Sequence, residues 1–126
     1  MKQNGRILFV KHKSLFGNGH FWCPPGGGLN LGESLADGLC REFLEETGLT
    51  IIVGKLLKIN EFIKEPIHSI EFFYEVESTG GNLKMGHDPE LEQQLIVDLE
   101  WLSLAEIEKK QAGEIHDFFK TELDFE

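Results

Sequence analysis

Residues 27–49, GGLNLGESLADGLCREFLEETGL, carry the strongest helix signal in the chain, directly behind a glycine-rich turn. Ser34 is a suitable N-cap, and Gly48 lies where a glycine commonly ends a helix. The pattern therefore predicts a helix over residues 34–48. Its second half, REFLEETG, places three glutamates and an arginine within about one and a half turns. Like charges at this spacing destabilise a helix, so their presence requires an explanation.

A helical projection separates the glutamates from the apolar side of this helix. Glu42, Glu45 and Glu46 share one arc, whereas the side predicted to be buried lies elsewhere. The residues of that buried side are Ala36, Cys40, Phe43 and Thr47. A hard divalent cation such as Mg²⁺ would offset the repulsion, because it prefers oxygen ligands and is often held by carboxylates together with substrate phosphates. The alternative is a solvated acidic face.

The glycines ahead of the helix favour the same interpretation. Backbone without a Cβ can approach a metal ion or a phosphate closely. Residues 24–33 contain two prolines and four glycines, so they are predicted to form a loop.

Composition restricts the class of protein. The chain has 126 residues, 40% apolar and 27% charged, as expected for one globular domain. Its net charge of -10 discourages unaided binding to nucleic acid or to an anionic membrane. No apolar run approaches the roughly 20 residues that span a bilayer, and no export leader opens the chain. Cys23 and Cys40 form no CxxC pair, so we expect two reduced thiols and a cytoplasmic protein.

The remaining sequence predicts strands and two short helices. Strands are predicted over residues 6–12, 49–62, 68–78 and 95–103, and a helix over 114–123. Gly54 is expected to mark a bulge. Ser103 and Glu106 form a capping box for a helix that runs towards Lys110. This order favours an α/β or α+β fold with a mixed sheet. Because the first strand begins almost at residue 1, the sequence leaves open whether another strand precedes it.

From Gly27 onward the sequence reads G-x5-E-x7-R-E-F-x-E-E-x-G-L, which resembles the Nudix box at every defined position. The defined positions are Gly27, Glu33, Arg41, Glu42, Phe43, Glu45, Glu46, Gly48 and Leu49. Nine positions at fixed gaps are far more specific than a short glycine motif. Trp22, PGGG (25–28) and EWLSLAEI (100–107) are similar to the family as well. We therefore expect residues 1–126 to be a single Nudix domain, in which Pro24 alters only local loop shape.

The resemblance implies an α/β/α sandwich with a mixed β-sheet, in which the box forms a loop, a helix and a loop. It implies a Mg²⁺- or Mn²⁺-dependent hydrolase that cleaves a nucleoside diphosphate linked to another moiety, such as a nucleotide-sugar, a nucleoside triphosphate or a dinucleotide. The partner would be this small nucleotide. A homodimer is a further possibility, since a missing first strand would leave a sheet edge that a second copy could cover. The alternative is a non-catalytic, nucleotide-sensing Nudix domain. Such domains commonly have a broken box, whereas this box is whole.

The resemblance also assigns residues to the metal. Glu42 and Glu46 would be metal ligands one helical turn apart, and the carbonyl of Gly26 would complete the inner sphere. Glu45 would be either a third ligand or the base that activates water.

Around these ligands the resemblance implies supporting roles. Arg41 and Glu33 would orient the glutamates by pairing rather than bind substrate. Gly27 and Gly28 would shape the loop against the substrate.

Two predictions concern residues outside the box. The resemblance implies a further carboxylate, as ligand or base, at Glu90 or Glu92, although residues in so polar a stretch are more often solvated surface. On the strand over 68–78, Phe72 and Tyr74 share one face and Phe73 takes the other. At least one of these aromatic side chains is therefore expected to line a pocket.

Overall fold

The computed structural model describes residues 1–13, 19–84, 96–111, 114, 115 and 119. Along the chain its elements are β1 (Lys2–Gln3), β2 (Arg6–Lys13), β3 (His20–Cys23), α1 (Leu35–Thr47), β4 (Leu49–Lys64), β5 (Ile67–Gly81), β6 (Ile96–Ser103) and α2 (Leu104–Glu108). The predicted strands and the box helix are all present, with bounds that differ by a few residues. Most of the helix predicted over residues 114–123 lies outside the described residues.

Strand β2 is the centre of a four-stranded sheet. Strand β6 pairs with it from Arg6 to His12, and β1 and β3 pair with its two ends on the other edge. These ladders are antiparallel, and an isolated parallel bridge joins Trp22 of β3 to Ile115. A turn at residues 4–5 joins β1 to β2, and a short strand thus precedes the one predicted first.

Strands β4 and β5 form a separate two-stranded sheet, a hairpin that we call the ribbon. Its strands are 16 and 15 residues long. The ladder shifts register between Val53 and Leu56, which confirms the irregularity expected at Gly54. Neither helix of the described chain has the length and apolar character that a bilayer crossing requires.

Side chains of β2 reach both faces of the central sheet, and each face has its own core. On one face Ile7 and Phe9 join Ile107 of α2 in the first core cluster. On the other, Leu8 joins Phe43 of α1 in the second core cluster. The two helices therefore pack on opposite faces of the sheet, which gives the predicted α/β/α arrangement.

The predicted buried side of α1 is partly wrong. Phe43 and Thr47 are buried and Cys40 is half-buried, but Ala36 is exposed. The glycine-rich loop instead covers Gly38, so the protected side of the first two turns is set by this loop. A projection based on periodicity alone does not contain that information.

The end of α1 is fixed against the end of the ribbon. The carbonyl of Thr47 accepts a hydrogen bond of 2.7 Å from the backbone N–H of Lys84, just beyond β5. Gly48 and Gly81 both have positive φ, 77° and 84°, and a Cβ on either would collide with backbone of the other segment. We call this contact the glycine junction. It fixes the C-terminal end of α1 against the base of the ribbon.

Candidate active site

Two local caps fix the position of the box helix. The side chain of Ser34 accepts from the backbone N–H of Asp37 at 3.1 Å, as expected for an N-cap. At the other end Gly48 adopts the left-handed conformation and donates to Leu44. Both ends were predicted, and they determine which way each glutamate of α1 points.

The glutamates one turn apart are buried beneath the glycine loop, which comprises residues 24–34. Glu42 is 1% exposed and Glu46 is 3% exposed. Glu46 Oε1 accepts a hydrogen bond of 2.7 Å from the backbone N–H of Gly26. A Cβ on Gly27 would lie only 2.8 Å from the Glu42 carboxylate. The absence of a side chain at this glycine therefore allows the loop to rest directly on the carboxylate.

Arg41 connects the glycine loop to the glutamates of α1. Its guanidinium binds both oxygens of Glu33, with Nε–Oε2 and Nη2–Oε1 distances of 2.8 and 3.0 Å. Its Nη1 donates to Glu42 at 3.1 Å and to Glu45 at 3.2 Å, while Nη2 donates to the carbonyl of Gly28 at 2.9 Å. The pairing predicted for Arg41 and Glu33 is therefore present. It holds two of the three glutamates and the loop in one network.

This network changes the proton affinity of its members. The pKa of Glu33 is lowered, first by the side-chain hydrogen bond from Arg41 and then by the backbone N–H of Asn30. The pKa of Arg41 is raised, first by its hydrogen bond to Glu33. Both shifts stabilise the charged pair.

We expect Glu33 to make stability depend on acid pH. Because its folded pKa is depressed, its contribution is fully present above its ordinary pKa of 4.5 and is lost as the pH falls through the folded value. Urea unfolding between about pH 3 and pH 6 should show this loss in the wild type and less of it in Glu33→Gln. Glu108→Gln, at an exposed position of α2, is the matched control. Equal pH profiles for wild type and Glu33→Gln would contradict the expectation.

The predicted metal ligands share one side of α1 but are not gathered around a point. Among the described residues, no three His, Cys, Asp or Glu side chains form a group arranged to hold a metal. Glu42 and Glu45 are bound to Arg41, and Glu46 is bound to Gly26. The donor set nevertheless fits Mg²⁺ or Mn²⁺, because it consists of oxygens and Gly27 has no Cβ that would press on the Glu42 carboxylate.

Two results concern residues beyond the box. Glu90 and Glu92, where a further carboxylate was predicted, lie outside the described residues. Cys23 and Cys40 are free thiols, as expected. The pKa of Cys23 is raised, first by burial and then by the carboxylates of Glu46 and Glu71. Glu71 of β5 thus lies near the candidate site, although no local sequence signal distinguishes it.

A cavity of about 760 Å³ lies between the ribbon, α1 and the central sheet. Pro24 and Pro25 contribute to its wall, so it adjoins the loop that covers the glutamates. Phe72, Phe73 and Tyr74 all line it, which confirms that an aromatic side chain of β5 faces a pocket. Concave space beside convergent polar groups is the usual setting of a ligand site.

Comparison with known proteins agrees with the geometry. The family model for the NUDIX domain matches residues 1–121. The Nudix hydrolase YvcI of Bacillus subtilis, itself uncharacterized, is 30% identical over 119 residues, which cover 84% of this chain and 75% of YvcI. The ADP-ribose pyrophosphatase of Methanocaldococcus jannaschii is 33% identical over 90 residues, which cover 70% of this chain but only 53% of that protein.

A solved structure shows the same fold. The MutT protein from Methanosarcina mazei Go1 superposes with a TM-score of 0.72 at 23% identity, over 94% of this chain and 80% of that one. The box, the fold and the family match agree. The chain therefore belongs to the NUDIX domain family and is a Nudix hydrolase.

Proposed function

We propose that the protein is a divalent-metal-dependent pyrophosphohydrolase. Its substrate would be a nucleoside diphosphate linked to another moiety, and its products a nucleotide and either a phosphorylated compound or pyrophosphate. The observation that carries this proposal is the burial of Glu42 and Glu46 directly beneath Gly26 and Gly27. Similarity to a relative named as an ADP-ribose pyrophosphatase supports the same bond type.

The box residues would have two roles, to hold the metal ion and to accept a proton from water. Glu42, Glu46 and the carbonyl of Gly26 would hold the ion, with Glu45 as a third ligand or as the base. When bound, Mg²⁺ or Mn²⁺ neutralises charge on phosphoryl oxygens and lowers the pKa of a coordinated water. Glu45 suits the role of base, because its side chain is 29% exposed and so reaches solvent.

Arg41 and the glycine loop would keep this arrangement in place. Arg41 binds Glu33, Glu42, Glu45 and the carbonyl of Gly28, so it fixes the spacing between loop and helix. Backbone at Gly27 and Gly28 would allow close approach of substrate phosphates. The nucleoside end would occupy the neighbouring cavity, whose wall includes aromatic side chains of the ribbon.

Free thiols at Cys23 and Cys40 support the cytoplasmic location that we infer for this reaction.

A substrate panel tests the proposal. We expect the purified chain with Mg²⁺ or Mn²⁺ to release nucleotide from at least one of ADP-ribose, UDP-glucose, diadenosine polyphosphates and the nucleoside triphosphates. Chelation of the metal should remove more than about 99% of that rate, because a bound metal ion stabilises the transition state by several kcal/mol. Nucleotide binding without any product would instead favour the nucleotide-sensing alternative. A chain that binds neither nucleotide nor Mn²⁺ would exclude both functions.

A further inference from the structure

The ribbon has two unlike faces beyond its bulge. Asn60 and Glu71 are directly opposite in the ladder, so their side chains project from the same face. Asn60 Nδ2 donates to Glu71 Oε1 at 3.1 Å, and both residues are half-buried. The opposite face is open to solvent, since Ile70 is 64% exposed and the Glu61 side chain is 60% exposed. The Asn60–Glu71 pair therefore belongs to the face that is turned towards the rest of the protein.

Neighbouring residues place this pair beside the candidate active site. Phe73 lies two residues after Glu71 on the same face and lines the cavity, whose wall also includes Pro24 and Pro25 of the glycine loop. Cys23 directly precedes this loop, and the carboxylates of Glu71 and Glu46 both raise the pKa of its thiol. Charges influence one another in this way only over short distances. The cavity wall and the shared effect on Cys23 together place the Asn60–Glu71 pair on the side of the ribbon that faces the glycine loop.

The chemistry of the pair suits one end of a nucleotide and not the other. An ionised carboxylate only accepts hydrogen bonds, whereas an amide both donates and accepts. Phosphate oxygens are acceptors and carry negative charge, so a carboxylate repels them. Sugar hydroxyls and base N–H groups are donors. A carboxylate at this position therefore favours the end of a ligand that supplies donors over the end that carries phosphate.

We propose that Asn60 and Glu71 bind O–H or N–H donors of the nucleoside end of the substrate and so determine which nucleotides are accepted. This inference rests on the proposed function. Glu71 accepts from the donor, and Asn60 holds the carboxylate in position. The phosphates then lie towards the glutamates of α1, with the nucleoside extending towards the ribbon and its cavity.

Steady-state kinetics of Glu71→Gln test the proposal. Glutamine keeps the size of the side chain but loses the charge, so the KM of the best substrate should rise about tenfold to a hundredfold. The kcat should change less than about threefold, since a contact to the nucleoside is made equally in the ground state and in the transition state. Asn60→Ala should raise KM in the same direction. Glu61→Gln is the matched control, because Glu61 occupies the solvent-facing side of the same ribbon.

Substrate analogues identify the donor. Loss of discrimination against 2′-deoxy or 3′-deoxy analogues in Glu71→Gln would assign a sugar hydroxyl, and loss of discrimination among bases would assign a base N–H. Unchanged KM and unchanged substrate ranking in a folded Glu71→Gln protein would overturn the proposal. If that variant does not fold, the same analogues are tested on the wild type. The proposal then requires that at least one analogue lacking a donor has a kcat/KM about tenfold below that of the full substrate.

Binding measurements separate this inference from the proposed function. Titration calorimetry with nucleoside monophosphates, without added metal, should show weaker binding to Glu71→Gln than to wild type or Glu61→Gln. Weaker binding by a protein that hydrolyses nothing would refute the proposed function and support the pair. Hydrolysis with equal nucleotide binding by all three proteins would refute the pair and leave the proposed function intact.

Discussion

Glu46→Gln is expected to lower kcat about a hundredfold to a thousandfold while the protein stays folded. Glutamine preserves the shape of the side chain and can still accept from the backbone N–H of Gly26 through its amide oxygen. It cannot supply the negative charge that an ion among these carboxylates requires. Glu45→Gln should also remove most turnover, whether Glu45 acts as ligand or as base.

Three measurements make this expectation decisive. Turnover is measured on the best substrate of the panel, thermal unfolding reports the fold, and Mn²⁺ titration reports the ion. Asp37→Asn is the matched control, because Asp37 is an exposed carboxylate in the first turn of the same helix. Wild-type turnover in both Glu45→Gln and Glu46→Gln would remove these residues from the catalytic site.

Gly27→Ala is expected to lower turnover about a hundredfold and to destabilise the protein by about 1–3 kcal/mol. Its new Cβ would lie 2.8 Å from the Glu42 carboxylate, which is 1% exposed and bound to Arg41. Either the loop or the carboxylate must therefore move. Gly27 does not have a positive φ, so backbone strain does not account for the effect.

The next glycine provides the control for stability. A Cβ on Gly28 would meet no heavy atom within 4 Å, and its φ is also not positive. Gly28→Ala should therefore unfold at nearly the wild-type temperature, in contrast to Gly27→Ala. Equal stability and equal turnover of wild type and Gly27→Ala would show that the loop does not hold Glu42.

The sequence predicted best those features that are encoded locally. Ser34 and Gly48 cap α1 because a hydroxyl and a residue without a Cβ meet needs that arise within a few positions. The capping box of Ser103 and Glu106 formed for the same reason. The resemblance to the Nudix box likewise implied that Arg41 would pair with glutamates, and Arg41 binds Glu42 and Glu45.

Features that depend on distant segments were missed. The burial of Glu42 and Glu46 depends on where the glycine loop rests, and periodicity within α1 does not show this. The effect of Glu71 on Cys23 depends on the register of β4 and β5 and on how the ribbon and the glycine loop enclose one cavity. Pairing register is set by packing and turn geometry as a whole, so a strand pattern read alone does not identify such a neighbour.

The glycine junction has an evolutionary consequence. Because Gly48 and Gly81 anchor the helix at the base of the ribbon, residues 65–66 at the hairpin tip are far along both strands from that anchor. Insertions or deletions at the tip would leave α1 and its glutamates in place. The ribbon can therefore differ in length between descendants of one ancestor without displacing the glutamates of α1.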